Sequence, residues 1–155
     1  MRVHIGGDHA AYEMHQDLRD WLSEQGHEVH DHGPFEYNDQ DDYPVFVLRA
    51  AEAVAADAGS LGVVLGGSGN GEQIAANKVV GIRAALCYSE ELAVLARQHN
   101  NAQVISIGAR MQTREESRAM VAAFVGTEFS GEQRHQRRID MMSSYEADHT
   151  LPDLD

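Results

Sequence analysis

Short apolar runs alternate with amphipathic segments along most of the 155-residue chain. An apolar run bounded by glycine or polar residues predicts a strand, whereas apolar residues spaced three and four apart predict a helix. The runs predict five strands, in VHIGG (3–7), HEVHDHG (27–33), LGVVL (61–65), RAALCY (83–88) and VISIG (104–108). The spaced apolar residues predict helices at 12–25, at 43–58, through Ile74 and Ala76, at 90–99, at 115–125 and at 132–145.

Strands that alternate with helices through short connections predict right-handed β-α-β units and a parallel sheet covered on both faces. We therefore predict an α/β fold over residues 1–146, a single Rossmann-like, doubly wound domain with a mainly parallel five-stranded sheet. Residues 147–155 form an acidic tail with little core-forming material, and we predict that it is disordered. The polar segments GGDH, GGSGNGE and GAR follow the first, third and fifth strands. Because ligands bind at the carboxyl ends of strands in such sheets, these segments predict the site.

Composition and charge exclude several classes of function. A net charge of −13 with only 12 Lys and Arg predicts that the chain binds no nucleic acid, since phosphate-backbone binding needs a wide basic surface. No apolar run is long enough to cross a bilayer and the N-terminus resembles no secretory leader, so we expect a cytoplasmic protein that binds no membrane. The single cysteine, Cys87, lies in the apolar run AALCY and predicts a buried structural thiol rather than a nucleophile.

The glycine-rich loop GGSGNG (66–71) follows the third strand and matches neither a P-loop nor a dinucleotide fingerprint. Two interpretations of its glycines stay open: they let backbone N–H groups converge on an oxyanion, or they only permit a sharp turn. Glu72 has two interpretations as well. It is either an acid favoured by the dipole of the following helix, or a general base beside those N–H groups, the combination that forms an enediolate from a carbonyl compound.

Other polar residues serve either chemistry or structure. Asp8, followed by His9, is a site residue or a helix N-cap, and His99 is a site residue or an imidazolium favoured at a helix C-terminus. Nine histidines raise the question of a metal, but neither an HExxH motif nor a paired Cys/His spacing occurs. His30 and His32 are expected in a short loop without a third partner nearby, so we expect no metal site.

The densest basic stretch of this acidic chain is EQRHQRR (132–138). On a helix, Arg134, His135 and Arg138 fall within one patch, in which two guanidiniums and an imidazole could grip a phosphate together. The alternative is an ordinary solvated helix face, and the residues alone leave both interpretations open.

Five blocks in this chain, in order from Val3 to about Tyr145, resemble the ribose-5-phosphate isomerase type B family, which also holds the galactose-6-phosphate isomerase subunits. The blocks are GGDHAAYE, DYP, GGSGNGEQIAANKVVGIRAAL, RQHNNAQVISIGAR and RHQRRI. The resemblance implies a Rossmann-like homodimer whose sites lie at the subunit interface and draw on both subunits. It also implies interconversion of ribose 5-phosphate and ribulose 5-phosphate without a cofactor or a metal.

Together, the resemblance and the analysis of the loop assign the residues that bind the phosphorylated sugar. They are Asp8, His9, Tyr43, Gly67, Ser68, Gly69, Asn70, Gly71, Asn100, Arg110, Arg134, His135 and Arg138. In the mechanism that we expect, His99 protonates the ring oxygen and Asp8 helps to remove the anomeric proton. Glu72 then moves the C2 proton to C1, and Ser68 relays a proton between O1 and O2.

The chain departs from the family pattern at the base. Many members carry a cysteine in a CGTG-type loop just after the third strand, where this chain has Gly66. The family's other branch has a glutamate at the position of Glu72, so the resemblance and the analysis of the loop agree on that residue. Cys87 belongs to a different strand and does not inherit the role.

Two alternative functions remain open at this point. One keeps the chemistry and changes the substrate to a tetrulose phosphate or a hexose 6-phosphate, a choice set by pocket length near Tyr43 and His9. The other is a non-catalytic sugar-phosphate binding protein, which would keep the arginines but need no base.

Overall fold

The computed structural model describes residues 1–154 and contains one five-stranded sheet with helices on both faces. The strands are β1 (Arg2–Gly6), β2 (Glu28–Asp31), β3 (Leu61–Gly66), β4 (Ala84–Leu86) and β5 (Val104–Gly108). The helices are α1 (Tyr12–Glu24), α2 (Pro44–Ala56), α3 (Asn70–Ala76), α4 (Glu90–Asn100), α5 (Arg114–Gly126) and α6 (Gln133–Asp148), and a short 3₁₀ turn (His9–Ala11) precedes α1.

The strand order is β2-β1-β3-β5-β4, and all four pairings are parallel. The predicted α/β class and five-stranded sheet are therefore confirmed. Strand β2 pairs with one side of β1 and β3 with the other side, so the direction in which successive strands are placed in the sheet reverses between β1 and β3. Ligands of such sheets bind at this reversal, outside the carboxyl ends of the two strands.

The core has two parts, one on each face of the sheet. Apolar side chains of α1, α4 and α5 pack on one face, and those of α2 and α3 pack on the other. All six residues of the central strand β3 are buried, with Val63 and Leu65 facing one part and Val64 the other. A strand covered on both faces needs apolar residues at successive positions, which explains the unbroken run LGVVL.

The last helix is longer than the sequence pattern predicts. The pattern ends it at Tyr145, but α6 continues to Asp148. The extra turn is tied to the body of the protein because Glu146 Oε2 accepts the backbone N–H of Gly81 at 2.9 Å. His149 then adopts the left-handed conformation, with φ of 61°, and ends the helix.

The segment after α6 is short and polar. Residues 149–154 form neither helix nor strand, and their side chains are exposed. Beyond the end of α6, the predicted disorder of the tail stays a prediction, and residue 155 lies outside the described residues. Within residues 1–154, no helix is long and apolar enough to cross a membrane.

Helix α5 begins with a capping box. Thr113 Oγ1 accepts the backbone N–H of Glu116 at 3.2 Å, and Glu116 Oε2 accepts that of Thr113 at 2.7 Å. We expect Thr113→Ala to lower the free energy of unfolding by about 1 kcal/mol. That loss should lower Tm by about 2–4 °C in thermal unfolding at neutral pH. As a control, Thr150→Ala, in the exposed segment after α6, should change Tm much less; equal shifts in the two variants would contradict the role of the cap.

Candidate active site

Polar residues gather at the carboxyl ends of β1, β3 and β5. We call this group the carboxyl-end cluster; it consists of Asp8, His9, Asp41, Tyr43, the loop 66–71, Glu72 and Arg110. Asp8 and His9 follow β1, the loop and Glu72 follow β3, and Arg110 follows β5. The cluster thus lies at the reversal of strand order, where the sequence analysis predicts the site.

The glycine-rich loop is held rigidly, because each of its first four carbonyl oxygens accepts a hydrogen bond from a neighbouring element. The donors are the N–H groups of Ala109 and Arg110 to Gly66 and Gly67 (2.8 and 3.0 Å), the Tyr88 hydroxyl to Ser68 (2.8 Å) and the Ser106 hydroxyl to Gly69 (2.7 Å). Gly69 has φ of 83°, and a Cβ there would lie 2.7 Å from Leu86 Cδ1. Glycine is therefore required at this turn, so the structural interpretation of that glycine is correct whatever the loop binds.

Glu72 is buried, with 4% of its surface exposed, in the first turn of α3. Its side chain turns back toward the end of β3, so closely that a Cβ added to Gly66 would overlap the Glu72 carboxyl group. Burial raises the pKa of Glu72, and the negative charge of Asp8 raises it further, while the N–H groups of Glu72 itself and Gly69 oppose the rise. The balance between helix dipole and burial thus favours burial, and a carboxylate with a raised pKa is the stronger base.

Asp8 has the structural role that its position suggests. Its side chain caps the 3₁₀ turn by accepting the N–H of Ala10 at 3.0 Å. It is also 7% exposed, and burial raises its pKa. A single carboxyl group therefore holds the turn in place and adds negative charge beside Glu72.

His9 is oriented by an aspartate that the sequence analysis missed. Asp41 Oδ1 lies 2.6 Å from His9 Nδ1 and also accepts the backbone N–H of His9 at 3.0 Å. The hydrogen bond to Asp41 is the main cause of the raised pKa of His9. Because Nδ1 faces the carboxylate, Nε2 is the nitrogen available to a ligand. Nothing in the acidic stretch DQDDYP distinguishes Asp41 from its neighbours before the chain is folded.

Asp8, His9 and Asp41 also place three metal-ligating atoms within 4.8 Å of one another. The hydrogen bonds of Asp41 to His9 account for that proximity without an ion, since the ring nitrogen nearest the carboxylate is already used. The expectation that the reaction needs no metal stays a prediction.

Tyr43 lies against the end of the loop and Arg110 against its start. Tyr43 precedes α2 and its ring covers Gly71, where an added Cβ would lie 2.6 Å from the ring carbon Cζ. Arg110 is exposed, and its side chain runs along Gly67. A cavity of about 660 Å³ opens next to His9, between the 3₁₀ turn and the start of α5, and His9 is the one residue of the carboxyl-end cluster that lines it.

The remaining predicted residues gather at the opposite end of the sheet. We call them the amino-end cluster; they are His99, Asn100, Arg134, His135 and Arg138. The guanidinium of Arg83, just before β4, donates to the carbonyl oxygens of Asn100 and Asn101 at 2.8 and 2.9 Å, which fixes the end of α4 beside the amino ends of the strands. The five residues of β5 span about 13 Å, so the two clusters lie at least that far apart along the strands.

The basic patch predicted on α6 is divided in the structure. His135 is buried, with 3% of its surface exposed, and its ring stacks on His99 at 4.2 Å between centroids. Arg134 and Arg138 are exposed, and Arg134 pairs with Glu132 at 2.8 Å. Burial first, and His99 second, lower the pKa of His135. The imidazole of His135 therefore supports His99 from beneath and does not stand beside the arginines at the surface.

Two other expectations have clear outcomes. Cys87 is buried, and burial raises the pKa of its thiol to about 11, so the predicted structural role is confirmed. The expectation that His30 and His32 lack a third partner is wrong, because β2 pairs with β1 and places His30 opposite His4. The pairing joins residues far apart in sequence, and no local pattern indicates it.

Comparison with known proteins places these features in context. The family described as Ribose/Galactose Isomerase matches residues 3–142. The chain is 57% identical over 152 residues to ribose-5-phosphate isomerase B of Mycobacterium tuberculosis, covering 98% of this chain and 94% of that protein. It is 34% identical over 145 residues to ribose-5-phosphate isomerase B of Escherichia coli, covering 94% and 96%.

Solved structures agree with these similarities. Ribose-5-phosphate isomerase B of Mycoplasma genitalium, with bound ribulose-5-phosphate, aligns with a TM-score of 0.91 and 38% identity, covering 95% of this chain and 97% of that one. Type B ribose 5-phosphate isomerase of Trypanosoma cruzi aligns with a TM-score of 0.90 and 42% identity, covering 96% and 98%. The fold is thus shared over nearly the full length of each chain.

Proposed function

The chain belongs to the ribose/galactose isomerase family, and on that premise we propose that it interconverts ribose 5-phosphate and ribulose 5-phosphate. The observation that carries the proposal is the buried carboxylate of Glu72 beside the rigid glycine-rich loop. Isomerisation of an aldose to a ketose moves a proton from C2 to C1 through an enediolate. The reaction therefore needs a base and hydrogen-bond donors within one ligand's width, which is what this end of the sheet offers.

In the proposed reaction Glu72 removes the C2 proton and returns it to C1. The N–H groups of the loop stabilise the negative charge that develops on the enediolate oxygens. Ser68 Oγ accepts hydrogen bonds from the backbone and side-chain nitrogens of Asn70, at 3.2 and 3.3 Å. Since a hydroxyl can donate as well as accept, the Ser68 O–H is left to pass a proton between O1 and O2.

We propose that this chain belongs to the branch of the family in which a glutamate, here Glu72, is the base. The Glu72 carboxyl group fills the space that a side chain at position 66 would occupy, so it reaches the location from which a residue just after β3 would act. Its raised pKa supports the same role.

The phosphate and the ring oxygen require groups that one chain holds at the other end of its sheet. We therefore propose a symmetric homodimer, in which the amino-end cluster of one subunit faces the carboxyl-end cluster of the other and two equivalent sites result. Arg134 and Arg138 of the partner subunit bind the phosphate together with Arg110. Asn100 of the partner subunit contacts the sugar.

Ring opening precedes the proton transfer. His99 of the partner subunit protonates the ring oxygen, and Asp8 helps to remove the anomeric proton. The ring of His135, which stacks on that of His99, holds the His99 ring in place. No step of the proposed reaction calls for a cofactor. Because phosphorylated sugars are cytoplasmic metabolites, we also propose that the enzyme acts in the cytoplasm.

The direct test is conversion of ribose 5-phosphate to ribulose 5-phosphate by the purified protein in the presence of EDTA. Turnover would support the proposed substrate. Turnover of a tetrulose phosphate or a hexose 6-phosphate, but not of ribose 5-phosphate, would keep the chemistry and overturn the substrate. Binding of ribose 5-phosphate without exchange of its C2 proton in deuterium oxide would identify a sugar-phosphate sensor instead.

Asp41 should act as a positioning residue for His9 in this reaction. Asp41→Asn removes the carboxylate that orients the ring, and a misplaced contact to the substrate should lower kcat/KM by up to about a hundredfold. The pKa of His9, followed by NMR, should fall, because its bond to Asp41 is the main cause of its rise. The matched control is Asp39→Asn, an exposed acid in the same loop, which should change neither quantity. An unchanged kcat/KM and an unchanged His9 titration in Asp41→Asn would refute the positioning role.

A further inference from the structure

Three histidines meet on one face of the sheet at its β1–β2 edge. His4 on β1 lies opposite His30 on β2, and His32 follows two residues later on the same side. The ring centroid of His4 lies 4.9 Å from that of His30 and 5.2 Å from that of His32. This face is the one that α2 covers, since a Cβ on Gly6, two residues from His4, would contact the backbone of Phe46 in α2.

We propose that His4, His30 and His32 form a binding site for a divalent transition-metal ion such as Zn²⁺ or Ni²⁺, separate from the reaction site. Imidazole nitrogen is a preferred ligand of both ions. The nitrogens His4 Nδ1 and His32 Nε2 lie 3.0 Å apart and face each other. Two ligands at about 2.0–2.1 Å from one ion are about 2.8–3.4 Å apart at octahedral or tetrahedral angles. The nitrogens are thus already at the separation of two ligands, but an ion would lie to one side of the line between them, so both rings would turn toward it.

A carboxylate lies behind two of the three rings. Asp57 Oδ2 lies 3.4 Å from His4 Nε2, and both oxygens of Asp57 accept hydrogen bonds from Arg2 at 2.6 Å. Glu28 Oε1 lies 3.1 Å from His30 Nε2, close enough for an ion pair but not aligned as a hydrogen bond. Since Nε2 of His4 faces Asp57 and Nε2 of His30 lies beside Glu28, Nδ1 of each ring is the nitrogen left for a metal. Histidines that ligate metals are held by outer carboxylates in the same way.

The site is accessible from solvent, and the negative net charge of the chain favours the binding of a cation. The His30 ring is stacked on that of His4, and the nitrogens of the three described rings do not all lie within 4.8 Å of one another, so His30 has to turn its Nδ1 toward the other two to complete the site. Its side chain is 42% exposed, which leaves room for that turn and gives an ion an entry path from solvent. The net charge of −13 attracts cations in general.

The test is titration of the purified full chain with NiCl₂ at neutral pH, followed by calorimetry. The wild type should bind one ion at this site. His32→Gln should weaken the affinity about a hundredfold, and Asp57→Asn, which frees His4 without removing a ligand, about tenfold. His149→Gln, which removes an exposed imidazole after α6, should bind as the wild type does. Equal affinity in the wild type and His32→Gln would overturn the proposal.

A second measurement locates the ion and does not depend on the variants folding well. Substoichiometric Cu²⁺ should broaden the imidazole NMR signals of His4, His30 and His32 before that of His9. Broadening of His9 first would place the ion at Asp8, His9 and Asp41 and overturn the proposal. If His32→Gln is unstable, His30→Gln replaces it, because this ring is half-exposed; Ni²⁺ should then raise Tm in the wild type more than in His30→Gln. Equal increases would count against the site.

Discussion

Replacement of Glu72 by glutamine should lower kcat for ribose 5-phosphate by about a thousandfold or more, with KM little changed. Glutamine has nearly the same shape as glutamate, so it fills the space beside Gly66 and leaves the loop in place. It cannot accept the C2 proton. Steady-state kinetics in EDTA measure the loss, and exchange of the C2 proton in deuterium oxide should fall by the same factor, because exchange and turnover share that step.

The matched control for this substitution is Glu90→Gln. Glu90, like Glu72, is an acidic residue in the first turn of a helix, but it is exposed. If Glu72 served only the helix dipole, the two variants would have similar and small effects. Wild-type activity in Glu72→Gln would show that the base lies elsewhere. In Glu72→Asp, an acidic limb of the kcat/KM profile that stays at the same pH would argue against Glu72 as the titrating group.

A measurement of folding stability distinguishes a Glu72→Gln variant that has lost only the base from one that has unfolded. The pKa of Glu72 in the folded protein is raised above its ordinary value of 4.5, so the folded state holds that proton more tightly than the unfolded chain. This carboxyl therefore reduces stability as pH rises through 4.5 and up to the folded-state pKa. Glu72→Gln should be inactive yet at least as stable as the wild type at neutral pH, and this advantage should vanish at pH values below 4.5.

Mixing two inactive variants should restore activity if the site is shared between subunits. Glu72→Gln damages the carboxyl-end cluster, and His99→Asn damages the amino-end cluster. In a mixed dimer one site combines both damaged parts, and the other combines Glu72 of one subunit with His99 of its partner. Random exchange makes half of the dimers mixed, each with one intact site of two, so activity should return to about a quarter of the wild-type value.

The measurement is activity after the two variants are unfolded together and refolded at equal concentration. The control is each variant refolded alone, which excludes recovery by refolding itself. A mixture no more active than the average of its components would mean that each site lies within one subunit. Because His99 and Glu72 lie at opposite ends of the sheet within one subunit, it would also mean that the two residues do not act in the same site.

The sequence predicts the fold well because the signals that define it are local. The unbroken run LGVVL and the spaced apolar residues of each helix reflect burial on two faces or on one, which a short window of sequence records. The end of α6 is different: its last turn depends on the contact of Glu146 with Gly81, far away in the chain. No window around Tyr145 contains that information.

The features of the site likewise include some that local sequence predicts and others that depend on the folded chain. The loop and Glu72 are neighbours in sequence, so their proximity could be predicted, whereas Asp41 reaches His9 only once the chain has folded. The distance between Glu72 and His99 was implicit in the topology. A helix that connects two parallel strands must run back along them, so α4 has to end at the amino side of the sheet, away from the loop. The burial of His135 beneath His99 required the packing of α6 on α4, which helical spacing alone does not reveal.

The overlap between position 66 and Glu72 also constrains how such a protein can change over generations. A side chain introduced at Gly66 would overlap the Glu72 carboxyl group and force it to turn away from this place, so two bases cannot both act from here. No single amino-acid replacement converts one arrangement into the other without an intermediate that has a crowded site or no base. Inheritance should therefore keep the two positions together as a pair, with glycine at 66 accompanying glutamate at 72 throughout a lineage.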